Sequence, residues 1–301
     1  MSQRQLLAKR IGLVALANLL VELNSLIMLP LLTKSLPVSE YGVWVQISVT
    51  IGLIPAIVLL GFPQSMIRFL PSAQKNDRQE IFYSMASITV LAGLLASVAI
   101  FLLAQPIASA IFDGRQNIVQ ILSALVFLEC LISIPFAYFR SVQQIKKYSI
   151  FNFVKVSFSL LLVVLLVLSG KGIVGAAIGL LVANTITFLA MGSFVFMDLG
   201  FSLPKFKNIR EYLAFGLPTM PLSVSGWIVN SSDRYVIGLL LGTAFVGYYS
   251  PGYTLGNMIT LFMTPISIML PATLAKYYDD HDIDEVKTIL GLSQKYFLAL
   301  G

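Results

Sequence analysis

The sequence predicts an all-α fold, a polytopic bundle of membrane-spanning helices, from its composition and the length of its apolar stretches. Hydrophobic residues make up 57% of the 301 positions and charged residues only 11%, a balance unlike that of soluble globular proteins. The apolar stretches reach about 20 residues, enough to cross about 30 Å of hydrocarbon as a helix. They lack the period-2 alternation of a membrane β-barrel, so the spans are expected to be helical.

The chain divides into eight apolar spans and the start of a ninth. The expected spans cover residues 11–32, 42–62, 81–104, 117–140, 150–169, 173–197, 212–240 and 246–275, and the ninth starts near Val286. The first span follows Arg4, Lys9 and Arg10 but lacks a small-residue cleavage pattern. We therefore interpret it as an uncleaved span rather than a signal peptide.

Lysine and arginine alternate between the connections, and this alternation predicts the orientation. Every second connection is basic, and together these connections hold twelve such residues: Arg4, Lys9, Arg10, Arg68, Lys75, Arg78, Arg140, Lys146, Lys147, Lys205, Lys207 and Arg210. The intervening connections hold only Lys34, Arg115 and Lys171. Because positively charged loops stay in the cytoplasm, we expect a cytoplasmic N-terminus in a multi-pass protein of the cell inner membrane.

The residue types that are scarce exclude several classes of function. A single cysteine, Cys130, and a single histidine, His281, cannot form a disulfide framework or a Cys/His metal site within this sequence. The basic residues lie between apolar spans, so the net charge of +6 does not indicate nucleic-acid binding. Phosphate-loop, nucleophile-elbow and H-E-x-x-H motifs do not occur. The sequence therefore predicts a secondary transporter with no catalytic residue and no metal site, rather than an enzyme.

A weak internal repeat indicates two lobes. Its two copies are Asn24-Ser25 followed by Tyr41-Gly42, and Asn230-Ser231 followed by Val246-Gly247. An even number of spans separates the copies, so they share one orientation, as in transporters that are built from parallel repeats. We expect an N-terminal lobe of six helices at 1–210 and an incomplete C-terminal lobe at 211–301, as in a truncated product or a fragment.

Ionisable residues inside the expected spans are the first candidate functional groups. They are Glu22, Glu129, Lys155, Asp233 and Arg234. Such groups are costly in hydrocarbon and usually face a pathway. Asp233 and Arg234 together cost about 5–7 kcal/mol to insert, and neighbouring side chains on a helix point about 100° apart. We therefore expect that they cannot neutralise each other and that each finds a partner elsewhere.

Polar residues at helical spacing predict a water-filled cavity along several spans. Lys155 shares a face with Asn152 and Ser159, Asn230 shares a face with Arg234, and Asn257 belongs to a similar row on the eighth span. Further polar residues of this kind are Gln46, Thr50, Ser133, Asn184 and Thr187. Hydrogen bonding between helices in a dry bundle is an open alternative. In the cavity interpretation, Arg234 faces an opposite wall that includes Lys155, Glu129 and Glu22.

Two stretches resemble the polysaccharide flippases, including the O-antigen repeat-unit flippases, of the MATE-like (MOP) exporter superfamily. They are LLTKSLPVSEYGVWVQISVTIGLIPAIVLLGFPQSMIRFLPS at 31–72 and FGLPTMPLSVSGWIVNSSDRYVIGLLLGTAFVGYYSPGYTL at 215–255. The resemblance covers essentially the whole chain. It implies a MATE-like bundle of two pseudo-repeated lobes that moves undecaprenyl-diphosphate-linked oligosaccharide from the cytoplasmic to the periplasmic leaflet. We count eight full spans and part of a ninth, so we expect most of the second lobe to be missing from this sequence.

The resemblance gives each candidate residue a role. A sugar diphosphate is anionic, so the expected substrate-binding residues of the cavity are Arg234, Lys155, Arg68, Asn230 and Asn257. Arg68 lies at the cytoplasmic end of the second span, where capture of the diphosphate and ordinary positive-inside anchoring are both open. Asp233, Glu22 and Glu129 either hold a coupling proton or Na⁺, or balance the charge of the bases.

The resemblance also implies partners and leaves alternatives. The expected partners are the lipid-linked oligosaccharide, membrane lipids, and a polysaccharide polymerase with its chain-length proteins, with no nucleic acid and no cofactor. A drug or cation antiporter of the same superfamily is one alternative, and an inactive fragment is another. A membrane polysaccharide polymerase is a third, although it requires a larger external loop than this sequence contains.

Overall fold

The computed structural model describes residues 3–257 and 283–300, with side chains described for 19–74, 77–257 and 283–295. Every regular element within these ranges is a helix, which confirms the all-α prediction. The helices are α1 (Gln3–Ser35), α2 (Val38–Val58), α3 (Phe62–Phe69), α4 (Lys75–Leu102), α5 (Ala104–Ile111), α6 (Gln116–Ser141), α7 (Ile145–Leu166), α8 (Gly172–Leu199), α9 (Ile209–Gly216), α10 (Met220–Leu241), α11 (Thr243–Gly256) and α12 (Ile283–Leu300). A π-turn joins α7 to α8, and a 3₁₀ turn joins α9 to α10.

The expected spans correspond in order to α1, α2, α4, α6, α7, α8, the α9–α10 segment and α11. Among the described residues, five segments are long and apolar enough to cross a membrane: Val38–Val58, Asp77–Leu102, Gln116–Ser141, Ile145–Leu199 and Ile209–Leu241. The chain is therefore a multi-pass membrane protein. The eighth expected span begins with α11, and its remainder at 258–275 lies outside the described residues. α12 covers the start of the expected ninth span.

The longest apolar segment, of 55 residues, is a helical hairpin rather than one helix. Gly170 at its bend has a φ of 82°, a conformation that glycine adopts without a steric penalty. A Cβ added at Gly175 would lie 3.0 Å from the carbonyl oxygen of Leu166, and one added at Gly179 would lie 2.9 Å from that of Leu162. The glycine that comes later on α8 faces the residue that comes earlier on α7, so the two helices run antiparallel. Their backbones nearly touch. The hairpin confirms the separation into fifth and sixth spans.

α6 is the central helix of the larger part of the molecule. The chain forms two compact units, Met1–Ser250 and Pro251–Gly301, and the first contains α1 to α10. Within it, α6 packs against α2, α3, α4, α5, α7 and α8. The outward faces of α4 and α7 expose Leu91, Leu95, Leu102, Leu161 and Leu165. A leucine-rich exterior is stable where the surrounding solvent is hydrocarbon, since lipid tails are as apolar as leucine. The predicted lobe boundary between 210 and 211 stays a prediction.

The connections with the most basic residues gather at one end of Met1–Ser250, here called the basic end. Tyr83 near the start of α4 donates from its hydroxyl to the carbonyl oxygen of Gly200, at 2.6 Å. Gln144 in the α6–α7 connection donates to Asp198 near the end of α8, at 2.9 Å. These bonds place the α3–α4, α6–α7 and α8–α9 connections together, as the alternation of charge predicts.

The other connections meet at the end that we call the opposite end. Glu40, in the first turn of α2, lies 3.6 Å from Arg115 and accepts the backbone N–H of Ile173 at 3.0 Å. A carboxylate is favourable at this point because the N-terminus of α8 carries a partial positive charge. Asp113 accepts a hydrogen bond from the hydroxyl of Thr243 at the start of α11. The α1–α2, α5–α6, α7–α8 and α10–α11 connections are thereby joined.

Two glycines that are equivalent in the sequence repeat form a crossing between α2 and α11. A Cβ added at Gly42 would overlap the carbonyl oxygen of Thr243, and a Cβ added at Gly247 would overlap that of Val38. Gly42 contacts the carbonyl of Thr243, which lies four residues before Gly247. Gly247 in turn contacts the carbonyl of Val38, which lies four residues before Gly42. The contact is therefore reciprocal, and the two copies of the repeat meet here as a pseudo-twofold pair. Glycine is required at both positions because the backbones leave no room for a side chain.

Candidate functional site

Three helices bring a charged pair together near the middle of the bundle. Lys155 of α7 donates from Nζ to both carboxylate oxygens of Glu129 on α6, each at 2.8 Å. Asn184 of α8 donates from Nδ2 to Oε1 of the same carboxylate at 2.9 Å. Each of these residues lies near the midpoint of its helix. Together with Ser159, which lies one turn from Lys155 on α7, they form what we call the mid-depth cluster.

Two oxygen atoms of the mid-depth cluster are buried and have no hydrogen-bond partner among the described residues. They are Oδ1 of Asn184, a residue with 0% exposure, and Oγ of Ser159, a residue with 6% exposure. An unpaired buried polar atom costs about 1–3 kcal/mol, so most such atoms have a partner. The side chains of Lys155 and Glu129 are each 18% exposed. The cluster is thus shielded but not sealed, and its unused oxygens belong to α7 and α8, the helices beside the carboxylate.

The expectation that Asp233 and Arg234 cannot neutralise each other is wrong. Nη1 of Arg234 lies 3.9 Å from Oδ1 of Asp233, and it also donates to the carbonyl oxygen of Asn230 at 2.7 Å. The arginine side chain is long enough to fold back along α10, so the angle between the two Cα–Cβ directions does not keep the charges apart. Asp233 also accepts the hydroxyl of Tyr249 on α11 at 2.6 Å, so a second helix supplies a partner for this residue.

A row of hydrogen bonds holds α10 against α2, and we call it the α2–α10 seam. The amide of Gln46 donates to the carbonyl oxygen of Arg234 at 2.8 Å, and the indole of Trp227 donates to that of Val49 at 2.9 Å. The hydroxyls of Thr50 and Tyr235 lie 2.6 Å apart. Arg234 itself is buried with 9% exposure. The seam fixes the helix that carries Asp233 and Arg234 to the first repeat.

The remaining predicted site residues occupy more open positions. Glu22 is exposed on α1, and Arg68 is exposed in the last turn of α3. Asn230 is exposed on α10, and its amide donates to the carbonyl oxygen of Gly226 at 2.7 Å. Asn257 is exposed at the end of the first described range. Lys155 and Arg234 thus belong to separate clusters, and the proposal that they face each other across one cavity stays a prediction.

The structure adds residues that the sequence did not single out as site residues. Asn184 completes the mid-depth cluster, and Gln46, Trp227 and Tyr235 build the α2–α10 seam. The signal for Asn184 and Gln46 was present, since each is a polar amide in an otherwise apolar span. Composition does not reveal which helix such an amide meets, and only packing assigns its partner.

Both candidate clusters are close to electrically neutral. Lys155 is matched by Glu129, and Arg234 is matched by Asp233. Burying an unpaired charge costs several kcal/mol, whereas a hydrogen-bonded pair recovers much of that cost. Each cation therefore lies beside a carboxylate, and the choice between charge balance and ion coupling for these carboxylates stays a prediction.

Solved structures show which fold this arrangement belongs to. The MATE multidrug transporter DinF-BH, solved as a complex, matches with a TM-score of 0.74 at 13% identity, over 98% of this chain and 70% of that chain. A MOP superfamily transporter from Pyrococcus furiosus matches with a TM-score of 0.66 at 14% identity, over 97% and 68%. A MATE in complex with MaL6 matches with a TM-score of 0.66 at 16% identity, over 96% and 67%. The fold is MATE-like, and this chain spans about two thirds of the length of these transporters.

The sequence comparisons add the family. Among curated proteins, no significant match is found. The pattern of the family described as polysaccharide biosynthesis protein matches residues 31–292, which include α2 to α11 and all four residues of the mid-depth cluster. With this match and the MATE-like helical bundle, the chain belongs to the polysaccharide biosynthesis protein family, on the fold of the MOP superfamily transporters.

Proposed function

We propose that this protein is a flippase that moves undecaprenyl-diphosphate-linked oligosaccharide repeat units, of the O-antigen type, from the cytoplasmic to the periplasmic leaflet of the inner membrane. The observation that carries the proposal is a polysaccharide biosynthesis family on a transporter fold. A sugar polymer that is assembled from lipid-linked units needs a route for a hydrophilic head group through hydrocarbon. A multi-pass bundle with polar clusters at mid-depth supplies that route.

The chemistry of the clusters supports an anionic head group as the cargo. Lys155 uses two of its three N–H donors on Glu129, so one donor remains for a phosphate oxygen. Arg234 offers a planar guanidinium that suits phosphate. Arg68, exposed at the basic end, captures the diphosphate on entry, and Asn230 and Asn257 add neutral hydrogen bonds to the path.

The orientation and the coupling belong to the same proposal. The basic end lies in the cytoplasm together with the N-terminus, because basic connections are retained there. Asp233, Glu22 and Glu129 balance the cations, with a proton or Na⁺ as the candidate coupling ion. The polymerase and chain-length proteins that use the exported unit are the proposed protein partners.

A cation antiporter is the second candidate function. It is favoured by the likeness to structures described as multidrug transporters, among them DinF-BH. This candidate needs carboxylates that are free to bind a cation. Glu129 and Asp233 already carry paired cations, which is why the flippase is preferred.

Deletion of the gene followed by complementation tests the proposal. The deletion is expected to remove surface polysaccharide and to leave lipid-linked oligosaccharide in the cytoplasmic leaflet. Complementation with Lys155→Ala or Arg234→Ala is expected to restore less than a tenth of the export, measured as surface polysaccharide per cell. Lys146→Ala, which changes a lysine in the first turn of α7 at the basic end, is the matched control and is expected to restore export fully.

Two outcomes would contradict the flippase. Normal surface polysaccharide after deletion would exclude an essential role in export. Unchanged polysaccharide together with increased sensitivity of the deletion strain to a cationic dye would instead identify the cation antiporter.

A further inference from the structure

The α8–α9 connection, residues 200–208, exposes large apolar side chains at the basic end. Phe201 and Leu203 are each 69% exposed, and Phe206 is 43% exposed. The α3–α4 and α6–α7 connections at the same end expose no leucine, isoleucine, valine or aromatic side chain. The apolar surface is therefore a property of this one connection and not of the basic end in general.

The same segment carries cations and lies at the limit of two apolar spans. One candidate span ends at Leu199 and the next begins at Ile209, so the connection between them lies where hydrocarbon meets the lipid head groups. Lys205, Lys207 and Arg210 are exposed, and none of them forms an ion pair with a carboxylate of the described residues. Apolar and basic side chains side by side suit a membrane interface, because the apolar groups meet acyl chains while the charges reach the head groups.

Hydrogen bonds to α4 fix the backbone of the connection. The backbone N–H of Phe206 donates to Oγ of Ser84 at 3.1 Å, and that of Lys207 donates to Oε1 of Glu80 at 3.1 Å. Ser84 is buried with 0% exposure, and its hydroxyl donates to the same Oε1 at 2.9 Å. These bonds hold Phe206 at a φ of 53°, which is uncommon for a bulky residue. With its backbone fixed in this way, the connection keeps its apolar side chains outside the protein core.

We propose that the α8–α9 connection is a membrane anchor that binds anionic phospholipid. Phe201, Leu203 and Phe206 enter the acyl-chain region of the leaflet at the basic end, while Lys205 and Lys207 lie among the phosphates. Each basic residue near an anionic surface strengthens binding about fivefold. The proposal concerns the lipid of the bilayer and not the transported cargo, so it is independent of the flippase.

A fluorophore at position 203 tests the insertion. Leu203→Cys is labelled in detergent with an NBD maleimide, while the buried Cys130 stays unlabelled, and the purified protein is placed in vesicles of phosphatidylcholine and phosphatidylglycerol. Phospholipid that is spin-labelled near the top of its acyl chain is expected to quench most of the fluorescence, and aqueous iodide is expected to quench little. Lys146→Cys, at an exposed position in the first turn of α7, is the matched control with the reverse pattern. Quenching by iodide to the same extent at both positions would overturn the proposal, because Leu203 would then lie in water.

The choice of lipid is tested with the same labelled position. Spin-labelled phosphatidylglycerol is expected to quench the Leu203→Cys fluorophore more than spin-labelled phosphatidylcholine at equal mole fraction. Adding Lys205→Gln and Lys207→Gln is expected to lower the association constant of phosphatidylglycerol, relative to phosphatidylcholine, about fivefold for each lysine. Lys34→Gln with Lys171→Gln removes two exposed lysines at the opposite end and is expected to leave this ratio unchanged. Equal quenching by the two lipids with Lys205 and Lys207 intact, or an unchanged ratio after their replacement, would overturn the proposal.

Discussion

The crossing of α2 and α11 gives the sharpest test of the packing, through Gly42→Ala. The added Cβ would overlap the carbonyl oxygen of Thr243, and it would lie 2.7 Å from the carbonyl carbon of that residue and 3.1 Å from the backbone nitrogen of Gly247. These are backbone atoms, so no rotamer change relieves the overlap. The helices must separate, and with them the contact between the two copies of the repeat.

The expected change in stability on Gly42→Ala is the sum of two opposing contributions. Overpacking by one methyl group costs about 1–3 kcal/mol, while replacing glycine by alanine inside a helix returns about 0.5–1 kcal/mol. Gly52→Ala, on the same helix, gains the helix stabilisation without the cost of overpacking, since its Cβ would make ordinary contact with Trp227 at 3.5 Å. The free energy of packing α2 against α11 should therefore differ between the two variants by about 1–3 kcal/mol. This difference changes the ratio of packed to separated helices at the crossing by about one to two orders of magnitude.

Hydrogen–deuterium exchange of the first turn of α11, with the Tm of the purified protein, measures the difference. Gly42→Ala is expected to raise amide exchange at Thr243–Gly247 and to lower the Tm relative to Gly52→Ala. Equal exchange and equal Tm in the two variants would refute the reasoning, because the backbones would then have space that the structure does not show.

Two further predictions concern the seam and the orientation. Trp227→Phe keeps an aromatic ring but removes the indole N–H that bonds the α2 backbone. The free energy of unfolding is expected to fall by about 1 kcal/mol, measured from the denaturant midpoint. An unchanged midpoint would show that this bond does not hold the seam. Lys205→Cys, at the basic end, is expected to react with a membrane-impermeant maleimide added from the cytoplasmic side, and Arg115→Cys, at the opposite end, with the same reagent added from the periplasmic side. The buried Cys130 is expected to stay unlabelled. The reverse labelling pattern would show the opposite orientation.

For the anionic head group that we propose as the cargo, the pairing of the cations has a consequence for binding and release. Isolated lysine and arginine residues at mid-depth would bind a diphosphate tightly and release it slowly. Paired with Glu129 and Asp233, the same cations offer donors whose charge is largely balanced. Balanced sites bind more weakly, and a transporter needs weak binding at every step so that its cargo can leave.

The sequence by itself determined the fold class and the order of the spans that lie within the described residues. Apolar stretches long enough to cross hydrocarbon have one stable backbone solution when they lack alternation, because a helix pairs its own polar groups. The charge alternation assigned the connections to two ends, which the contacts of Glu40 with Arg115 and of Gln144 with Asp198 confirm. Glu129, Lys155, Asp233 and Arg234 were found as candidates because a charge in an apolar span is costly.

Only the tertiary structure decided which groups meet. Helical spacing places Lys155 and Asn184 on faces, but not opposite the same carboxylate, since partners depend on how α6, α7 and α8 pack. The Asp233–Arg234 pair formed against expectation because a long side chain folds back along its helix, a freedom that Cβ directions do not describe. The physical reason is common to both cases: periodicity sets the direction of a side chain, whereas its reach and the contacts between elements distant in sequence set its partner.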